Sequence, residues 1–273
     1  ADLTPHLLHQ LAADGEPEIR GSLYIHAGSF NLNGNKLVVE GNIIQSGGTL
    51  YINNRELSVG GDYRIQSESI DGEGNVTYGD SNGYLNMTNK EGYVLVEGNF
   101  VTQARYSHSG RLTAGTLEVR EDFIQKKNTY IYAENNNFYA TGSHVTILSG
   151  ESLQRVSFDT AESRFSILEI RNYSEEGVEF TRDLNATTFI DNGSVVKLPN
   201  SAITGWKLAS DDEYEGDLYL GAGTLDLDGH TLKVKGNMIQ SGGTIDINGG
   251  ELYIEGDYRL QTESEDEEGN KSY

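Results

Sequence analysis

The chain has 273 residues, a formal net charge of −22 from 20 Lys+Arg against 42 Asp+Glu, and no cysteine. That acidity argues against binding along a phosphate backbone, which needs a basic surface, and the missing thiols exclude disulfide and thiolate chemistry. No apolar run approaches 18 residues and no basic segment leads into an apolar one, so neither nucleic acid nor membrane insertion is expected.

Residues 1–21 admit two readings. Thr4-Pro5 ahead of Leu7, Leu8 and Leu11 has the form of a capped helical turn. Against it, Leu11-Ala12-Ala13-Asp14-Gly15-Glu16 aligns with Leu208-Ala209-Ser210-Asp211-Asp212-Glu213 ahead of a later repeat, which favours an irregular first coil.

Gly21–Tyr78 and Gly216–Tyr273 align without a gap, with about 33 of 58 positions identical. A shorter period runs inside each block. Leu23, Ile43 and Tyr63 are 20 apart, as are Phe30 and Leu50, Leu37 and Leu57, Gly28 and Gly48, and Gly41 and Gly61. The second block repeats the beat at Leu218, Met238 and Tyr258, at Leu225 and Ile245, and at Leu232 and Leu252. Each unit splits into three apolar-x-apolar triplets joined by Gly or Asn turns, residues that accept positive φ. Three strands and three corners of about 20 residues predict one coil of a single-stranded parallel β-helix, right-handed because parallel crossovers nearly always are. One such coil cannot bury enough apolar surface to stand alone and needs stacked neighbours. The expected core is Leu37, Val39, Leu57 and Val59, then Leu232, Val234, Leu252 and Ile254.

Ser67–Gly83 breaks the period with a polar, acidic stretch and reads as a projecting hairpin with Gly72-Glu73-Gly74 at its tip. Val94–Phe100 and Leu117–Phe123 repeat one coil at a 23-residue spacing, the surplus placed in the loop Tyr106–Gly110. Lys126–Asn137 is a second irregular stretch. Beyond it a 20-residue beat is expected to return as Ile147 with Ile167, Ile170 with Ile190, and Val178 with Leu198. Leu198–Glu215, holding the only tryptophan, Trp206, leads into the second copy. The expected organisation is one continuous solenoid over 1–273, a module at 21–215 and a second copy beginning over 216–273, as a fragment of a longer tandem array.

The runs Gly41-Asn42-Ile43-Ile44-Gln45-Ser46-Gly47-Gly48-Thr49 and Gly61-Asp62-Tyr63-Arg64-Ile65-Gln66 resemble a repeat of very large secreted bacterial proteins. These are mainly Gram-positive surface proteins and polymorphic toxins with RHS-type repeats. The likeness extends through Leu95–Gln103, Tyr106–Gly110, Leu148–Gly150 and Phe165–Ile170. It implies an extracellular β-solenoid with no assigned activity, and brings no catalytic residue with it.

Several residue groups carry chemistry worth weighing. The glutamines Gln45, Gln66, Gln103, Gln125 and Gln240 suggest a polar stripe, read here as an amide ladder along the solenoid axis rather than a ligand surface. Asn42, Asn99, Asn237, Asp62, Asp122 and Asp257 follow corner glycines and are expected to bond turn backbone. Asp71, Glu73 and Asn75, with Asp266, Glu268 and Asn270 in the second copy, alternate oxygens as calcium loops do. The loop glycine and twelfth-position glutamate of that motif are missing, so a solvated acidic hairpin is the stronger reading. Arg105, Tyr106 and His108 beside Asp122 are the best local grouping for a polysaccharide-active enzyme, but too loose to support one. Tyr24, Tyr51, Tyr219 and Tyr253 occupy outward strand positions from which rings would stack on sugars. Tyrosine is equally at home in any strand.

The expected function is structural: a rigid, acidic, extracellular stalk or adhesive segment whose partners are adjacent modules. A carbohydrate-binding module facing a surface polysaccharide is the alternative, and a polysaccharide lyase or hydrolase ranks third.

Overall fold

In each coil the alternation apolar-x-apolar turns two side chains inward and one outward, and the corners bend the chain so that all inward residues converge. The computed structural model describes residues 17–32, 34–129, 136–182, 184–190, 194–197, 202–203, 206–208, 210–214, 216–221, 223–261, 264–265 and 271–272. Among these every element is a strand, and the strands stack in parallel as a β-solenoid of about 11 turns with about 21 residues per turn. The first face begins at Glu18–Ile19 and Leu37–Val39 and ends at Ala186–Ile190. A second face runs from Leu23–Ile25 to Val196–Lys197. The third is shorter, Ser29–Asn31, Thr49–Tyr51 and Tyr84–Asn86, and continues through single bridges from Met87 to Leu112 and Ala140.

Inward rows run straight along the axis. On the second face Leu23, Ile43, Tyr63, Phe100, Phe123, Val156 and Phe180 lie in register and are buried. On the first face the row is Leu37, Leu57, Val94 and Leu117, with the buried Thr146 next. Phe100, Phe123, Phe138 and Phe165 pack ring against ring at the middle of the prism, with centroids 4.8–5.9 Å apart. One apolar cluster extends from Leu23 to Met238. Leu252 and Ile254, expected in the core, are only partly buried, because no further described coil stacks beyond Glu251–Ile254.

The corner before each second-face strand carries a ladder of side-chain carbonyls. Asn42 Oδ1 accepts from the Asp62 N–H (2.8 Å), Asp62 Oδ1 from the Asn99 N–H (2.8 Å), Asn99 Oδ1 from the Asp122 N–H (3.0 Å), and Asp122 Oδ1 from the Arg155 N–H (2.7 Å). Asp217, Asn237 and Asp257 repeat it. The expected turn bonds are thus made, but to the next coil rather than within the turn. Gly41, Gly61, Gly98, Gly236 and Gly256, ahead of Asn42, Asp62, Asn99, Asn237 and Asp257, are there for closeness, not for positive φ. A Cβ on Gly98 would sit 2.6 Å from Asp62 Oδ1, and one on Gly41 would sit 2.7 Å from the Gly21 carbonyl carbon. Positive φ is instead the requirement at the next corner, at Gly28 (76°) and Gly48 (72°).

The even beat expected beyond residue 140 is not kept. Val145, not Ile147, pairs with Ile167; Glu169, not Ile170, pairs with Ile190; and Val178 pairs with Val196, not Leu198. Corner loops of unequal length move each register, and the inward pattern follows them.

The two copies join with a change of face. Phe189 ends the first-face row after Leu168, and its ring lies 6.1 Å from that of Trp206. Trp206 pairs with Leu225 and Leu225 with Ile245, the counterparts of Phe30 and Leu50 on the third face. The first face of one module therefore runs into the third-type face of the next.

Candidate functional site

Two features depart from the smooth prism, an arm and a groove. The arm is the expected hairpin: Ser67–Ile70 pairs antiparallel with Val76–Gly79. It folds over the outside of the second face, against Ile43–Gln45. Ile44 points outward yet is only 2% exposed. Arg64 sits 4.5 Å from the centre of the Tyr78 ring, and burial, then the charge of Glu68 and its hydrogen bond, raise the Tyr24 hydroxyl pKa. Beyond this seat Ile70 and Val76 face each other across the hairpin and stay exposed. Ser264–Glu265 and Lys271–Ser272 pair in the same way in the second copy.

At the tip of the arm, Asp71 Oδ1 accepts from the N–H groups of Glu73 and Asn75 (both 2.9 Å), and Oδ2 accepts from the Asn75 amide (2.9 Å). These bonds, that of the Asn75 amide foremost, hold the Asp71 carboxyl below its ordinary pKa. Asp71 and Asn75 thus close the turn on themselves. Their counterparts Asp266, Glu268 and Asn270 lie outside the described residues.

The four tyrosines singled out for sugar stacking do not share a surface. Tyr24 and Tyr219 lie on the second-type faces of their copies, Tyr51 on the third and Tyr253 on the counterpart of the first. Tyr24, Tyr51 and Tyr219 are half-buried; Tyr253 is 54% exposed. Tyr24 stacks with His26 (centroids 6.2 Å), and the strand next to that of Tyr51 carries Tyr84, stacked with Tyr106 (centroids 6.1 Å) and covered by the Arg111 guanidinium at 3.7 Å.

Among the described residues these glutamines make one contact with each other, Gln66 to Gln103 (2.8 Å). Otherwise they bridge corners. Gln45 donates to the carbonyls of Gly48 and Tyr84 and accepts from the Tyr63 hydroxyl (2.7 Å), while Gln125 donates to Asn137 and accepts from Thr160. The expected amide ladder is therefore replaced by corner bridges, since the buried carbonyls at each corner need donors. Arg105, Tyr106, His108 and Asp122 are not one constellation. His108 is 1% exposed, accepts the Leu85 N–H at Nε2 (3.3 Å), and is pushed down to about 3 by burial and then by Arg111. Arg105 pairs with Asp80 (3.6 Å), and Asp122 belongs to the corner ladder.

The groove lies where the modules meet and was not legible in the sequence, although the lone Trp206 in the connecting stretch marked the place. It encloses about 510 Å³ between Arg164, Asn185–Thr188 and Trp206 on one side and Lys207, Gly223, Thr224 and Asp226 on the other. Trp206 is buried and lines it. Arg164 donates from Nη2 to the Thr187 hydroxyl and from Nε to the Phe165 carbonyl (3.4 Å), with its guanidinium 5.8 Å from the Tyr139 ring. Lys207 is bound by Asp228 (2.9 Å), which raises its pKa, and reaches Asp226 at 4.0 Å. The lining is rich in hydroxyl, amide and guanidinium donors, the set that recognises polar, hydroxylated ligands. Among the described residues no cluster of three or more His, Cys, Asp or Glu has the arrangement of a metal site.

Compared with protein-family models, curated proteins and solved structures, the chain matches none.

Proposed function

We propose that this chain is a structural segment of an extracellular bacterial surface or secreted protein: a stiff acidic stalk that carries projecting arms and stacks on adjacent modules. The observation that supports it is the recurrence of scaffold contacts between the copies. Gln45 to Gly48 (3.1 Å) reappears as Gln240 to Gly243 (3.0 Å), Tyr63 to Gln45 as Tyr258 to Gln240, and the corner ladder and hairpin return as well. Outward positions differ instead: Ser58 against Tyr253, Val38 against Lys233, Asn35 against His230. A chain under demand as a scaffold has this pattern, and a catalytic site repeated per module would reverse it. About eleven turns at roughly 4.8 Å each give a rod of about 50 Å. Small-angle scattering should return an elongated particle, and protease shaving of intact source cells should release the segment. A compact particle, or full protection from the protease, overturns the reading.

The carbohydrate-binding alternative also has support, now from the junction groove rather than from the four tyrosines. Saturable binding of any soluble oligosaccharide to the chain would promote it.

A further inference from the structure

We propose that the junction groove binds an acidic oligosaccharide, one bearing a carboxylate on some of its sugars and neutral hydroxyls on the rest, with the carboxylate held by Arg164. This inference rests on the carbohydrate-binding reading and names the ligand class and the residue that selects it.

The key observation is the state of Arg164 in a chain with 42 acidic residues and 20 basic ones. Arg64, Arg120, Arg155, Arg171 and Arg259 all lie against carboxylates at 2.6–3.2 Å. Arg164, like Arg55, Arg111 and Arg182, forms no ion pair with a described carboxylate, and of these four it is the one that lines the groove, where it meets the neutral Thr187 hydroxyl and Phe165 carbonyl. A guanidinium carries five N–H donors in a planar fork. Two contacts leave further N–H donors on a guanidinium that lines the groove, enough to take a carboxylate through two parallel bonds.

The remainder of the groove suits the uncharged part of such a ligand. Thr187, Thr188 and Thr224 offer hydroxyls, and Asp226 offers carboxylate oxygens to sugar hydroxyls. Lys207 is already neutralised by Asp228, so among the described lining residues Arg164 is the cation left to meet a ligand carboxylate, and the Asp226 carboxylate is left to accept from sugar hydroxyls. One cation among hydroxyls fits isolated carboxylates spaced along a hydroxylated polymer. Densely charged polyphosphates are disfavoured by the same count and by the −22 charge. The volume lies within the ordinary range of ligand sites.

Trp206 supplies the readout, being the only tryptophan and a lining residue of the groove. The full chain is titrated with a hexasaccharide of alternating glucuronate and N-acetylglucosamine, and with the same hexasaccharide after reduction of its carboxylates to alcohols. The expected result is a saturable change in Trp206 emission with the acidic form and at least tenfold weaker binding of the reduced form. Arg164→Gln should weaken the acidic form by the same factor and leave the two forms equal. If Arg164→Gln fails to fold by circular dichroism, Thr224→Val takes its place, and weaker binding of both forms to it supports the groove as the site. Equal binding of both forms to the parent overturns the acidic class but spares the carbohydrate reading. Binding untouched by these substitutions overturns the location, and no saturable response to either form overturns the proposal together with the reading it rests on.

Discussion

Single residues at the corners determine how closely the coils stack. At Gly98 an added methyl would meet Asp62 Oδ1 and the Gly61 backbone, both fixed by the ladder. Gly98→Ala is expected to lower stability by about 1–3 kcal/mol through overpacking. Gly72→Ala at the arm tip, with open space around it, should stay within about 0.5 kcal/mol. Equal denaturation midpoints for the two variants would refute the close-approach account. Burial opposes ionisation of Asp62, but the Asn99 backbone and amide N–H groups and Arg64 outweigh it and lower its pKa. His144 is the opposite case: fully buried, neither ring nitrogen has a partner, and burial pushes it down to about 3. A depressed folded pKa means the neutral ring contributes its full stability above about 6.5, and that stability is lost as pH falls from there toward 3. The denaturation midpoint should therefore drop between pH 7 and pH 4. His144→Leu should flatten part of that slope and leave stability at pH 7 undiminished, since two unpaired buried nitrogens are removed. A variant with the parent's slope would show that burial does not hold the folded His144 pKa below its unfolded value.

At the scale of one element, a strand is stable only through its row. Leu57 lies between Leu37 and Val94 with no exposure, so Leu57→Asp places a charge where neither water nor a cation reaches it. A loss of roughly 3–5 kcal/mol is expected from urea unfolding. A variant that melted like the parent would mean the register is wrong. The arm obeys a different rule. It adds no strand to the prism, and its base shields Ile44 on the outer face. Replacing residues 67–79 by a short turn should leave the β-sheet circular dichroism intact, expose Ile44, and cost about 1–3 kcal/mol, the worth of one buried aliphatic side chain. Loss of cooperative unfolding after the replacement would make the arm part of the core instead.

Across the whole molecule, the change of face at the junction decides how arms are displayed. Because the Leu168–Phe189 row continues into Trp206, Leu225 and Ile245, equivalent strands of successive modules sit one face of the three-sided prism apart. The strand pairs Ser67–Ile70 with Val76–Gly79 and Ser264–Glu265 with Lys271–Ser272 should then lie on different sides of the rod. Spin labels at Ser69 and Ser264 test this, since a distance no greater than the axial separation would place both arms on one side. The exposed strand Tyr258–Leu260 presents a parallel edge that invites end-to-end pairing, which the −22 charge resists. Added salt screens that repulsion, so association measured by scattering should rise between low and high ionic strength.

The sequence by itself determined the coil. Apolar residues at a period of two, corners at fixed intervals and two aligned copies leave a parallel solenoid as the one architecture that buries Leu37, Leu57, Leu218 and Leu232 together. It also marked the arm, where polar residues break the beat, and the corner Asn/Asp positions. The tertiary structure alone decided the registers beyond residue 140, because a loop can absorb any number of residues without altering the inward pattern of the strands it joins. The same holds for the reason behind Gly98, which lies in an oxygen 36 positions earlier in the chain. The burial of His108 was equally hidden, since a histidine between serines carries no local sign of the coil that will cover it. So was the junction groove: Arg164, Thr187, Trp206 and Thr224 come from separate turns of the chain, and only stacking brings them to one cavity.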